Sequence, residues 1–274
     1  MLIASVAQAQ NLFVTAFSEG KIYQITPSGA QSTFATGLNE PMGLAFDTAG
    51  NLFEADWGSG DIYKFTPTGA RSTFATDSGT ADLAFDAAGN LFVNDGLDGK
   101  VIEITPNGTK ITFASGLSNP FGLAFDSAGN LFVSNNGNDQ IIKITPGGVK
   151  STFVTGLSSP SGLAFNSAGD LLEADFGTGN IYESTPNGVR TTFAIRVYGI
   201  YNMAFDRAGN LFAATGGNIT EIEPDGTQRV FNSSFQTYGL AFQGVSLPVP
   251  EPSALGLLAV GAAAFLVRRR RWHP

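Results

Sequence analysis

The chain contains no cysteine and a single histidine, His273, beside its C-terminal end. The missing cysteines exclude a disulfide framework, a thiolate metal site and a cysteine nucleophile. The missing imidazoles leave the body of the chain without a histidine general base. Charge is sparse, 14% of 274 residues, and positive charge is sparser still. Setting aside Glu251 and the four arginines 268–271, 11 basic and 22 acidic side chains remain, a net −11. Such a surface repels phosphate backbones and points away from nucleic acid. Long apolar stretches spaced at 3.6 residues are absent too, which argues against a helical repeat.

What fills the chain instead is turn and core material: 34 Gly, 13 Pro and 23 Phe. They are arranged periodically. The triplet Asn-Leu-Phe, or its variant Asp-Leu-Leu, starts at Asn11, Asn51, Asn90, Asn130, Asp170 and Asn210, at intervals of 40, 39, 40, 40 and 40. Self-similarity at this period signals stacked supersecondary units. Each unit holds four short apolar segments separated by Asp-x-x-Gly-Asn and Pro-x-Gly turns. In such turns Asp accepts turn amides, while Gly or Asn takes the left-handed backbone. Four strands of about six residues with their turns fill a ~40-residue period.

Side-chain size orders the strands. The segment Gly-Leu-Ala-Phe, with the variants Asp-Leu-Ala-Phe and Asn-Met-Ala-Phe, carries Ala45, Ala84, Ala124, Ala164, Ala204 and Ala241, with Phe after each. Successive strand residues face opposite ways, so one face offers Ala and the other Leu and Phe. Radial sheets crowd at their axis, where small must meet large, so this is the innermost strand. The fourth strand carries Arg71, Lys110, Lys150 and Arg190 among Ser and Thr, as suits an outer edge guarded against pairing. The expected fold is all-β: a monomeric six-bladed β-propeller of four-stranded antiparallel blades over 11–244. The first complete strand begins at Asn11 and the last lone one is Gly239–Gln243, so the two must pair to close the ring. The turn aspartates Asp47, Asp86, Asp126 and Asp206 are expected to be structural.

The stretches ITPGGVKSTFVTGLSSPSGLAFNSAG and NLFVSN resemble the NHL-repeat and gluconolactonase-like propellers, including the streptogramin-lyase branch. The resemblance covers 11–244 and implies the architecture more than a function, because the fold hosts enzymes, binders and scaffolds. For a gluconolactonase-like enzyme it implies a divalent metal held by Asn or Asp just before the inner-strand Gly. Here those places hold Met42, Phe121, Ser161 and Tyr238, while Asp82 and Asn202 replace the Gly itself. For streptogramin-type lyases and calcium lactonases it implies histidines that the propeller segment lacks.

The C-terminal segment resembles the PEP-CTERM sorting signal of bacterial exosortase substrates. Over 245–274 it has the motif Val249, Pro250, Glu251, Pro252, then an apolar run over 253–267, then Arg268, Arg269, Arg270 and Arg271. As a helix, Ala254–Val267 is about 21 Å long against a hydrocarbon core of about 30 Å, which suits a short transmembrane helix serving as a temporary anchor. The arginines act as the membrane stop on the cytoplasmic side. The resemblance implies an exosortase-type processing protease and transient inner-membrane association. Residues 1–10, MLIASVAQAQ, end in an Ala-x-Ala pattern and read as the remnant of a secretion signal.

The variable loops after the second and fourth strands should meet at one mouth of the axis. The candidate ligand-binding residues there are Asp56, Trp57, Asp95, Asn135, Asn136, Phe121, Asp175, Phe176, Tyr201 and Tyr238. Two readings stay open. Carboxylates, amides and rings could stack on sugars or hold calcium or another divalent cation. The same side chains could instead satisfy loop amides and plug the channel. No catalytic residue stands out. The expected function is therefore binding or structural: an exported propeller of the cell surface or extracellular matrix, partnered with exopolysaccharide. The alternative is a metal-dependent lactonase or hydrolase working through Asp56, Asp95 and Asp175.

Overall fold

A computed structural model describes residues 10–233 and 235–244. The expected sorting motif, its apolar helix and arginine stop, and all of the expected signal remnant but Gln10 lie outside the described residues. The described chain folds as six four-stranded antiparallel sheets in a ring. Blade 1 runs from inside outward as Thr237–Phe242, Leu12–Ala16, Lys21–Ile25 and Gln31–Thr36. Blades 2 to 6 follow in chain order, their inner strands being Pro41–Phe46, Leu83–Phe85, Pro120–Phe125, Pro160–Phe165 and Asn202–Phe205.

Ring closure takes the form the repeat count requires. The last strand pairs with the first, Leu12 opposite Phe242 and Val14 opposite Leu240. The second strands, such as Leu52–Asp56 and Leu131–Asn135, are buried at every position, because each lies between two neighbouring blades. Phenylalanine fills these interfaces. Phe13 packs edge-on against Phe34 of its own outer strand and Phe46 of the next blade, with centroids 5.0 and 5.1 Å apart. Phe53, Phe92, Phe132 and Phe212 repeat this triad with their own two partners. Only the interface between blades 5 and 6 departs from it, where Leu172 takes the central place beside Phe193 and Phe205. Edge-to-face pairs of this kind add about 0.5–1.5 kcal/mol beyond the area they bury.

Met42, Phe121, Ser161 and Tyr238, each just before an inner-strand glycine, are themselves part of the inner strands. In blades 2, 4 and 5 the strand begins at a proline and then bulges, and the register shifts between Pro41 and Leu44. The cations of the outer strands do more than guard an edge. Arg71 Nη1 donates to the Gly37 carbonyl at 3.1 Å, Arg190 Nη1 to Thr155 at 3.3 Å, and Gln228 Nε2 to Ile195 at 3.0 Å. Lys110 and Lys150 reach the carbonyls of Thr76 and Ser115. Each first residue of an outer strand thus clips its blade to the preceding one.

Candidate functional site

The two faces of the ring differ in chemistry. One is built from the repeated turns. Asp47 Oδ1 accepts from the Ala49 and Asn51 amides at 3.0 and 2.8 Å, and Asp86, Asp126 and Asp206 do the same in their blades. These aspartates are structural. The opposite face gathers the loops that vary.

At that mouth the strand-end polar groups turn toward their own loops. Asp56 accepts from the Asn39 amide at 2.8 Å on one oxygen, and from the Ser59 amide and hydroxyl at 3.1 and 2.7 Å on the other. Asp175 accepts from the Ser158 and Thr178 amides at 3.1 and 3.2 Å. Asn135 accepts from Ser118 at 2.6 Å and Asp95 from Asp98 at 2.9 Å. All four are buried, each in a separate blade. Asn136 donates to the Pro160 carbonyl at 3.1 Å and accepts from the Asn119 amide group at 3.2 Å. Among the described residues no three His, Cys, Asp or Glu side chains lie close enough together to hold a metal ion.

The aromatic candidates do converge. Tyr201 sits 4.1 Å from Tyr238, 5.3 Å from Phe176 and 6.3 Å from Phe121, centroid to centroid. Tyr238 in turn lies 4.5 Å from Phe17. Five rings from blades 1, 4, 5 and 6 thus form one continuous patch. Burial, and a hydrogen bond with Tyr238, push the Tyr201 phenol up to about 12, so it stays a neutral donor. Trp57 stands apart, 37% exposed and without an aromatic contact among the described residues. Phe17 neighbours the end of its second strand and joins the candidate rings here. Its signal was the repeat register, because it follows the second strand as Trp57 and Phe176 do.

Beneath the rings the inner strands nearly touch. A Cβ on Gly239 would stand 1.8 Å from the Met42 carbonyl oxygen, and one on Gly122 would stand 2.2 Å from that of Ser161. Blades 3 and 6 depart from glycine here, with Asp82 and Asn202. They face each other across the ring, and Asn202 donates to Asp82 Oδ1 at 2.9 Å, while Asp82 Oδ2 accepts the Leu123 amide at 2.9 Å. Burial outweighs these hydrogen bonds and raises the Asp82 carboxyl to about 7. Small polar groups surround the bridge. Asn94 accepts from the Ala81 and Asp82 amides and donates to the Pro120 carbonyl, and Thr15 ties Met42 to Gly239. The sequence shows Asp82 and Asn202 at glycine places, but 120 residues apart nothing in it pairs them.

Residues 248–271 match the model of the PEP-CTERM protein-sorting motif. No curated protein matches the chain. Among solved structures, a chain of the nidogen/laminin complex is 19% identical with a TM-score of 0.78, covering 86% of this chain and 98% of that one. Virginiamycin B lyase from Staphylococcus aureus is 16% identical with a TM-score of 0.68, covering 87% and 89%. A gluconolactonase from Xanthomonas campestris is 16% identical with a TM-score of 0.68, covering 84% and 87%. At these identities the likeness is one of fold. The chain is a six-bladed β-propeller, with structural neighbours of NHL and gluconolactonase type, followed by a PEP-CTERM protein-sorting motif.

Proposed function

We propose that this is an exported binding protein, processed at its sorting motif by an exosortase-type protease after transient inner-membrane anchoring. It then works as a monomer at the cell surface or in the extracellular matrix, where it holds exopolysaccharide on the aromatic mouth. The observation that carries the reading is the continuous patch of Phe17, Phe121, Phe176, Tyr201 and Tyr238. Flat rings beside a phenol donor suit the C–H faces and hydroxyls of neutral pyranoses. A polysaccharide array with the folded protein, followed by calorimetry, tests it. Tyr201→Ala is expected to weaken binding at least tenfold with the ring still closed. Silence of the wild type across neutral polysaccharides would sink the reading.

The fold shared with solved gluconolactonases favours a second reading, a metal-dependent lactonase or hydrolase. Calcium calorimetry with a lactone panel separates the two. Turnover that requires calcium and is lost in Asp56→Ala and Asp175→Ala would establish the second reading.

A further inference from the structure

Arg196 occupies a backbone position made for glycine. In blades 1, 3 and 4 the chain leaves the outer strand through Gly37, Gly116 and Gly156, with φ of 72°, 70° and 72°. In each case the next amide then bonds into the loop of the same blade, as Leu38 does to Gly20 and Leu117 to Gly99. Arg196 stands at the same place in blade 5 with φ of 62°, and Val197 makes the equivalent bond to Gly179. A side chain in this left-handed region is strained, and such strain is kept where something requires it. Asp139, another side chain at a glycine place, repays part of the strain by accepting from the Ser159 amide at 2.8 Å. The Arg196 side chain makes no hydrogen bond and no ion pair among the described residues.

The arginine lines a groove of about 350 Å³ between blades 5 and 6, whose lining includes none of the five mouth rings. Tyr198 lies in it 65% exposed, with Asn218, Gln228, Val230 and Arg229 around it. Arg229 is held by Glu221 at 2.7 Å, which leaves Arg196 as the uncommitted charge. No acidic side chain lines the groove, on a propeller whose charge is strongly negative. A guanidinium offers a planar fork that matches a carboxylate, and a neighbouring exposed ring supplies a stacking face.

We propose that this groove binds an acidic sugar, the uronate unit of a polysaccharide, with Arg196 pairing the carboxylate and Tyr198 stacking on the ring. None of the mouth rings lines this groove. The structure supplies a discriminating variant, because Arg196→Gly restores the residue that the other blades use. Trigalacturonate and a neutral trisaccharide, maltotriose, are titrated by calorimetry at physiological salt, and melting is followed in parallel. Wild type is expected to bind trigalacturonate and not maltotriose at this groove. Arg196→Gly is expected to lose at least tenfold in trigalacturonate affinity while melting at the same temperature or higher. Tyr198→Ala is expected to weaken the same binding, and the mouth variant Tyr201→Ala to leave it unchanged. Absence of trigalacturonate binding by wild type would overturn the proposal. So would an Arg196→Gly protein that binds as wild type, or one that melts clearly lower and so reveals a structural arginine.

Discussion

The middle of each second strand is occupied in turn by Val14, Glu54, Val93, Val133, Glu173 and Ala213. Both glutamates are 0% exposed, and neither carboxyl makes a hydrogen bond of good geometry among the described residues, although the Ser184 hydroxyl faces Glu173 and partly offsets its burial. An ionised carboxylate without a partner is expensive there, so the proton is retained. Burial pushes Glu54 well above the ordinary range, and raises Glu173 from 4.5 to about 7. The unfolded chain releases these protons at lower pH than the folded one. Their contribution to stability is therefore complete below about 4.5 and is lost as pH rises toward 7. Asp82, also raised to about 7, acts in the same direction. Glu173→Val puts into blade 5 the residue that blades 1, 3 and 4 already hold. It is expected to stabilise the protein by about 2 kcal/mol at pH 8 and by much less at pH 4. Melting curves at the two pH values check this, and equal shifts at both would disprove it. The sequence displays these glutamates openly, inside strands whose other residues are apolar up to the terminal Asp56 and Asp175. Their orphaned state was not legible, because it depends on what the adjoining blade presents.

At the level of the strand, the repeat made most of the fold readable. Alternation of Ala with Leu and Phe identified the inner strand, and the mismatch between the chain's two ends identified the closing pair. Three details escaped because they arise between blades. The outer cations clip to a neighbour's carbonyl, the Phe triads need rings from two sheets, and the Asp82–Asn202 bridge joins residues three repeats apart. Among the mouth residues, Phe17, Phe121, Phe176, Tyr201 and Tyr238 converge, whereas Trp57, at the same place after a second strand, does not, and its strand position does not distinguish it from Phe17 and Phe176. The strand-end carboxylates could not be placed without the loop amides they face. Closure itself is testable. The strand Thr237–Phe242 completes blade 1 and supplies Phe242 to the Phe212 triad and Gly239 to the axis. Removing everything from Tyr238 onward therefore opens blade 1 and unseats blade 6. The truncated protein is expected to melt lower by at least about 10 °C. A truncated ring that melted like the intact one would refute closure by this strand.

At the scale of the whole molecule, the aromatic mouth and the point where the chain leaves the ring lie on opposite faces. The ring is complete at Phe242, and the chain leaves it at Gly244 on the face built from the repeated turns. Gln10 donates to the Gln243 carbonyl at 2.8 Å and accepts from the Arg207 amide at 3.0 Å, while the Arg207 side chain donates to Gly244 at 2.6 Å. The incoming and outgoing chain are thus pinned together, opposite the aromatic mouth. From Gly244 to Val249 is five residues, a reach of at most about 18 Å. A chain anchored through residues 253–267 would hold the turn face toward the membrane and leave the mouth directed away from it. Cleavage within 249–252 then removes the anchor without touching any strand. A protein ending at Pro248 is expected to melt within about 2 °C of the full chain in detergent and to keep its saccharide binding. Mass spectrometry of secreted material is expected to place the mature C-terminus within 249–252. A shortened protein that melts much lower would show the tail packing against the ring. Secreted material still carrying Arg268–Arg271 would show that the anchor is permanent.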